Sequence, residues 1–395
     1  MTGDRSLAGS RERGAIYRRL GVEPIINGRS TFTILGGSLM PPIVLDAMRE
    51  AAECFVDLVE LQVAVGRRLA ELTRNEAAYV SGGAAAGLFL TAAAAMTREI
   101  TDGVLRIEDL PSLPNEFLIH RAHRIPYDLA IKLAGGSLTE FGGLDRTGRA
   151  DLEAVITPRT AAVLYVDKAH LAEQVLPLAT VVEIARPLGV PVVVDAAAQL
   201  PPVENLWRYT AAGADVALFS GGKGLCGPAS TALIVGRADF VGRLGANAAP
   251  LQRLGRPMKV GKEDLIGLLT AVEWYLGRDH AAEAERFERI VEAFVDWGRG
   301  RDDVDVARVP FGEAGQPTPR AWIRLRGGDA VRRDALLADL RARPPRIDLL
   351  ADDEGTGFYV APETLIEGEE RTIIDRLSGL LAEPHPGDLT PSATA

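Results

Sequence analysis

Residues Pro191–Gly224 read PVVVDAAAQLPPVENLWRYTAAGADVALFSGGKG. Two short apolar runs, PVVVD and DVALFS, show no polar alternation, and chemistry-bearing residues stand where each one ends. Asp195 closes the first, and Ser220 closes the second just ahead of the glycine-framed Lys223. Unalternated, β-branched runs of this length indicate strands buried on both faces, as in a parallel sheet covered by helices. Ligands bind such a sheet at its carboxyl edge, so Asp195 and Lys223 are expected at one edge.

The same alternation extends outward. AAYV is followed by SGGAAAGLFLTAAAAMT, EFLIH by YDLAIKLAGG and AAVLYV by LPLATVVEIARPLG, and TALIVG completes the series. The fold class is therefore α/β, with a mostly parallel central sheet in a large domain over 76–262. Ahead of it, an N-terminal segment over 21–75 carries helical periodicity from Met40 to Thr73 with a break or two, and Pro41 and Pro42 suit its entry. Linking helices over 263–300 have a potential break near Gly277. A small α+β domain follows over 301–382. In it VDVARVP, RAWIRLR, RIDLLAD and GFYVAPE resemble strands, and GDAVRRDALLADLRA and EGEERTIIDRLSGLLA resemble helices. Residues 1–20 and 383–395 are polar and expected to be flexible.

The bulk numbers bound the function. A chain of 395 residues, 47% hydrophobic and 25% charged, is ordinary for a soluble globular protein. A net charge of -10 argues against a general nucleic-acid surface. No apolar run reaches the roughly 20 residues of a membrane helix, and the first residues lack an apolar targeting core, so a cytoplasmic protein is expected. Two cysteines, Cys54 and Cys226, do not make a disulfide scaffold. With five scattered histidines they offer no compact metal-ligand spacing, and no metal is expected.

Three features carry chemistry. In SGGAAAG (Ser81–Gly87) small residues follow a strand and open a helix, which lets backbone N–H groups approach an anion; close helix packing is the alternative. Asp195, at a strand end, needs a cationic partner if buried, or is an ordinary capping residue. A partly desolvated Lys223 would lose its proton readily and could form an imine, or else is a loop lysine that faces solvent or binds phosphate. Together they describe a pyridoxal phosphate site: an anion cradle, an acid for the pyridine nitrogen and a Schiff-base lysine. A phosphate-sugar enzyme could use the same parts, without special need of Asp195.

The chain resembles the fold-type I pyridoxal phosphate enzymes, which have the aspartate aminotransferase-like fold. More narrowly, it resembles the bacterial group related to selenocysteine synthase (L-seryl-tRNA(Sec) selenium transferase) and D-glucosaminate-6-phosphate ammonia lyase. INGRSTFTILGGSLMPP, SGGAAAG, HRAHRIPYD, VDAAAQLPP, FSGGKGL and GRPMKVGKE carry the resemblance over about 20–380. It implies that Lys223 is the Schiff-base lysine and Asp195 the pyridinium partner, and that Ser81, Gly82, Gly83 and Ala84 surround the phosphate. His123 would stack on the cofactor ring, Ser220 would bond the phosphate and Gln199 would face the ring oxygen. Lys259, with Arg256 and Lys262, would lie near the site and answer a neighbouring subunit's phosphate. Arg29 and Arg320 are candidates for a substrate carboxylate or phosphate. A homodimer or larger assembly is implied as well.

One departure stands out. Relatives tend to carry an arginine and then a glutamine in the lysine loop, where this chain has Cys226 and Ala229. That puts the relatives' anionic substrate in doubt. The leading expectation is a lyase that eliminates a β-substituent from an amino acid or amino-sugar acid and releases ammonia. A racemase or epimerase, an aminotransferase, a selenium transferase-like enzyme and a non-catalytic scaffold are the alternatives.

Overall fold

The computed structural model describes residues 13–382. The expected tail over 383–395 and the first twelve residues of the expected flexible N-terminus lie outside the described residues. In chain order the first strands are β1 (Ile25–Gly28), β2 (Ala77–Ser81), β3 (Glu116–His120), β4 (Ser137–Phe141), β5 (Thr160–Val166) and β6 (Val192–Asp195). There follow β7 (Val216–Ser220), β8 (Ala232–Gly236), β9 (Val304–Val309), β10 (Arg320–Leu325), β11 (Arg346–Ala351) and β12 (Gly357–Val360). The chain divides into two compact units. The larger is Thr33–Asp279 together with the short segment Glu313–Pro317, and the smaller takes the flanking chain.

The larger unit holds a seven-stranded sheet in the order β2-β8-β7-β6-β5-β3-β4. β8 is antiparallel to both of its neighbours, and the remaining pairs are parallel. Because two reversals restore direction, β2 points the same way as β7. The carboxyl ends of six strands therefore meet at one edge. Both faces are buried, as the apolar runs require. In β7, Val216 and Leu218 join one core cluster while Ala217 and Phe219 join another. The first cluster includes helix Ala84–Met96, in which every residue from Gly87 onward is buried. The second is packed by helices Leu58–Leu72 and Lys262–Gly277. Each large apolar side chain buried this way contributes roughly 1.5–3 kcal/mol.

The expected helical breaks have concrete form. The first separates Pro42–Ala52 from Leu58–Leu72, with Asp57 capping the second helix by accepting from the Val59 and Glu60 N–H groups at 2.8 and 3.0 Å. The other follows Gly277 and precedes helix His280–Gly298.

The smaller unit is a five-stranded sheet, β1-β11-β12-β10-β9, in which β1 runs parallel to β11 and the other pairs are antiparallel. Helices His280–Gly298, Ala330–Ala342 and Glu369–Ala382 share its core. Asp352 is a local hub there. It accepts from Trp322 Nε1 at 2.9 Å, from Arg333 at 3.0 Å, and from the Gly355 and Thr356 amides at 2.9 and 3.2 Å. Among the described residues, no helix is long and apolar enough to cross a membrane.

Candidate active site

The carboxyl edge of the large sheet collects Ser81 from β2, His123 just beyond β3, Lys168 beyond β5, Asp195 from β6 and Lys223 beyond β7. Asp195 is 5% exposed, and its Oδ1 accepts from the Ala197 N–H at 3.0 Å. Its other oxygen has no hydrogen-bond partner among the described residues. Burial pushes its carboxyl above the usual range, while the Ala197 amide and the charges of Lys223 and Lys168 pull it back.

Lys223 sits on a turn whose glycines are required by packing. A Cβ on Gly221 would fall 2.0 Å from Thr231 Oγ1, one on Gly222 2.5 Å from Ala229 Cα, and one on Gly224 2.5 Å from the Leu200 carbonyl oxygen. Backbone bonds pin the same turn: Gly221 N–H to Thr231 at 2.8 Å, Gly227 N–H to Gly221 at 2.7 Å and Cys226 N–H to Lys223 at 2.9 Å. The Ser38 N–H donates to the Gly222 carbonyl at 2.8 Å. Cys226 takes a left-handed backbone with φ 53°, a conformation that L side chains rarely adopt. The Lys223 amine lies 4.0 Å from Glu313 Oε1.

The segment after β2 turns directly into a helix. Gly83 precedes helix Ala84–Met96 with φ 101°, and a Cβ there would meet nothing within 4 Å. The opening amides of the helix have no partners within it and present an anion site. A Cβ on Gly82 would lie 3.0 and 3.2 Å from the Met258 and Lys259 carbonyls, so the GRPMKVGKE segment packs its backbone against the cradle of its own chain. The Lys259 side chain itself is exposed.

His123 is 1% exposed, and neither ring nitrogen has a hydrogen-bond partner among the described residues. Its ring meets Tyr165 edge-on at 4.8 Å and His120 at 5.2 Å. Burial, with the charges of His120 and Lys168, lowers its pKa to about 3, so the ring is neutral. His120 is fixed by Thr147 and by the Ala122 N–H.

The remaining expected residues have these contacts. Gln199, expected to face the cofactor, donates its side-chain amide to the Ala314 carbonyl at 2.8 Å. Ser220 ends β7 and its N–H donates to Ala197 at 3.1 Å. Lys262 donates to the Ala51 carbonyl at 2.5 Å. Arg256 opens a short 3-10 turn, Arg256–Met258. Arg29 and Arg320 belong to the smaller unit, where Arg29 lies 3.6 Å from Asp348 and Arg320 stacks 4.1 Å over Tyr359. Among the described residues no His, Cys, Asp and Glu cluster could hold a metal.

Two neighbours of the site escaped the sequence reading. Lys168 donates to the Ala122 carbonyl at 3.4 Å; burial lowers its pKa, against the pull of Asp195. Its signal was its place two residues beyond β5. Glu313 lies ninety residues from Lys223 in the chain, and nothing local marks it.

The family model for SelA, L-seryl-tRNA selenium transferase, matches residues 33–292. The chain belongs to the SelA family. This SelA-family chain is 36% identical to a 5'-C-glycyluridine monooxygenase-decarboxylase of Streptomyces sp, over 93% of this chain and 92% of that protein. It is 31% identical to the D-glucosaminate-6-phosphate ammonia lyase of Salmonella typhimurium, over 92% and 96%. A solved structure of D-glucosaminate-6-phosphate ammonia-lyase superposes with a TM-score of 0.79 at 30% identity, covering 94% of this chain and 99% of that one. The aspartate aminotransferase of Thermotoga maritima superposes at 0.54 with 14% identity, covering 93% and 94%, which speaks to the fold. The fold is thus aspartate aminotransferase-like, and the SelA-family relatives are enzymes built on it.

Proposed function

We propose that this protein is a pyridoxal phosphate-dependent lyase. Its substrate would be an amino acid or amino-sugar acid, which loses a β-substituent and then releases ammonia. The observation that carries this reading is the meeting of Lys223 and the buried Asp195 at the ends of adjacent strands, beside an open helix N-terminus. The residues fit the cofactor. The Gly83 cradle leaves room for a phosphate, Asp195 has a free oxygen for a protonated ring nitrogen, and the neutral, unpartnered His123 ring suits a stacking role.

When bound, pyridoxal phosphate supplies an electron sink that weakens the bonds to Cα. The protein's own residues do the rest. The opening amides of helix Ala84–Met96 hold the phosphate. Asp195 would hold a proton on the ring nitrogen, and the positive charge of Lys168 opposes the upward pull of burial on this carboxyl. Lys223 anchors the cofactor and, when released, takes the proton from Cα. A homodimer or larger assembly belongs to the proposal.

A second reading, decarboxylation at Cα, is favoured by the 36% identical relative named for that activity. The test begins with the visible absorption of the purified protein. A band that borohydride abolishes, and that Lys223→Ala lacks, is expected. Release of ammonia and a 2-oxo acid then supports elimination, whereas carbon dioxide release with oxygen uptake supports decarboxylation. No band after cofactor is added would overturn both.

A further inference from the structure

The segment Glu313–Pro317 is the one part of the chain between β9 and β10 that belongs to the larger unit. It is held there by a clamp. The Ala314 carbonyl accepts from Gln199 Nε2 at 2.8 Å, while the Ala314 N–H donates to Gln316 Oε1 at 3.0 Å. Both glutamines are buried, at 4% and 6% exposure. Bonding both the N–H and the carbonyl of Ala314 fixes the peptides on either side of it and restricts the residue before it, Glu313.

The Glu313 carboxylate stands 4.0 Å from the Lys223 amine, and the two side chains are 21% and 23% exposed. Lys223 is its one ion-pair partner among the described residues. This carboxylate is partly sheltered, so losing Lys223 as a partner favours a replacement donor. Once Lys223 is engaged with the cofactor, a hydrogen-bonding group of the substrate can take that place. A group within reach during proton abstraction is the substituent on Cβ, next to the carbon that loses its proton. Neither Asp195 nor His123 suits this position, since one is committed to the ring nitrogen and the other has a neutral, buried ring.

We propose that Glu313 relays the proton from Lys223 to the leaving group on Cβ. This rests on the elimination reading above. Lys223 Nζ removes the Cα proton, and the pair from the broken Cα–H bond becomes the new Cα=Cβ double bond. Lys223 hands a proton to Glu313 Oε1. Glu313 gives its proton to the oxygen as the Cβ–O bond breaks, and that oxygen leaves with the bonding pair as water. Lys223 and Glu313 end as they began, and no oxidant or reductant is needed.

The test compares two leaving groups in both enantiomers: serine, whose hydroxyl must be protonated, and β-chloroalanine, whose chloride departs without a proton. Glu313→Gln is expected to slow ammonia release from serine by about 10²–10⁴-fold, the usual range for a positioned acid. Release from β-chloroalanine should fall less than about fivefold, which also reports that the variant is folded and loaded. A second readout needs no turnover. Carbodiimide treatment of the cofactor-free protein should join Glu313 to Lys223, seen by peptide mass spectrometry, and cofactor loading should suppress that bond. Equal slowing on both substrates, or absence of the cross-link, overturns the relay. If the wild type releases ammonia from neither substrate, nor from an amino-sugar acid, although its borohydride-sensitive band is present, the elimination reading fails and takes the relay with it.

Discussion

Replacing Gly222 by alanine tests whether packing holds the lysine turn. The new Cβ would stand 2.5 Å from Ala229 Cα and 2.9 Å from Ala229 Cβ, where ordinary contact begins at 3.4 Å. One backbone segment must then retreat by about 0.9 Å, and neither is free to do so. The Gly222 carbonyl is bonded to the Ser38 amide, and Ala229 lies between the turn and β8. Overpacking of this kind costs about 1–3 kcal/mol, and loss of the Ser38 bond adds about 1 kcal/mol. Lys223 is the next residue, so the same displacement moves the amine. A shift of about 1 Å at a reacting group lowers turnover on the order of 10²-fold. The assay pairs urea unfolding with turnover of whichever substrate releases ammonia. Gly242→Ala, inside helix Ala238–Ala246 with nothing within 4 Å of the new Cβ, is the control and should be neutral or slightly stabilising. If Gly222→Ala matches the wild type in both midpoint and turnover, the argument from close packing is wrong.

Further expectations follow from burial and charge. The raised Asp195 carboxyl binds its proton more readily folded than unfolded, so in the cofactor-free protein it lowers stability as pH climbs past the ordinary aspartate range. Asp195→Asn should therefore stabilise the cofactor-free protein at neutral pH while weakening cofactor uptake; a loss of melting temperature would contradict this. His123 behaves oppositely. With its pKa lowered to about 3 against 6.5 unfolded, acidification from pH 6.5 toward 3 favours the unfolded chain, by up to about 5 kcal/mol. His123→Phe should flatten the unfolding profile in that window, and an unchanged slope would reject the account. In the smaller unit, Asp352→Ala strips four donors of their acceptor and should cost on the order of 3–5 kcal/mol. A thermal midpoint within a degree or two of the wild type would show that these bonds are dispensable.

Much of the site was legible because each strand end announces itself. Asp195 and Ser220 close apolar runs, and the Gly83 cradle opens a helix of small residues. These are local signals, and the parallel sheet converts them into neighbours. An unplaced break between Met40 and Thr73 and one near Gly277 were visible as interrupted periodicity. What escaped depends on partners distant in the chain. Glu313 reaches Lys223 only because two glutamines clamp Ala314, and one of them, Gln199, had been read as a cofactor contact. The glycines around Lys223 pointed toward a path around a ligand. They are also fitted against Thr231, Ala229 and Leu200 of the protein itself, a demand that sequence spacing does not display.

That fit has a consequence for motion. Glycine-rich stretches usually surrender their amide protons to deuterium quickly. Here the amides of Gly221, Cys226 and Gly227 are tied to neighbouring carbonyls, with buried β7 and β8 on either side. Their exchange should await opening of the sheet and not local fluctuation. The lysine would then be offered to a ligand in one geometry, its ordering entropy already spent in folding. Association should depend little on loop rearrangement, and isotope uptake over 221–227 should resemble that of the central strands, with or without cofactor.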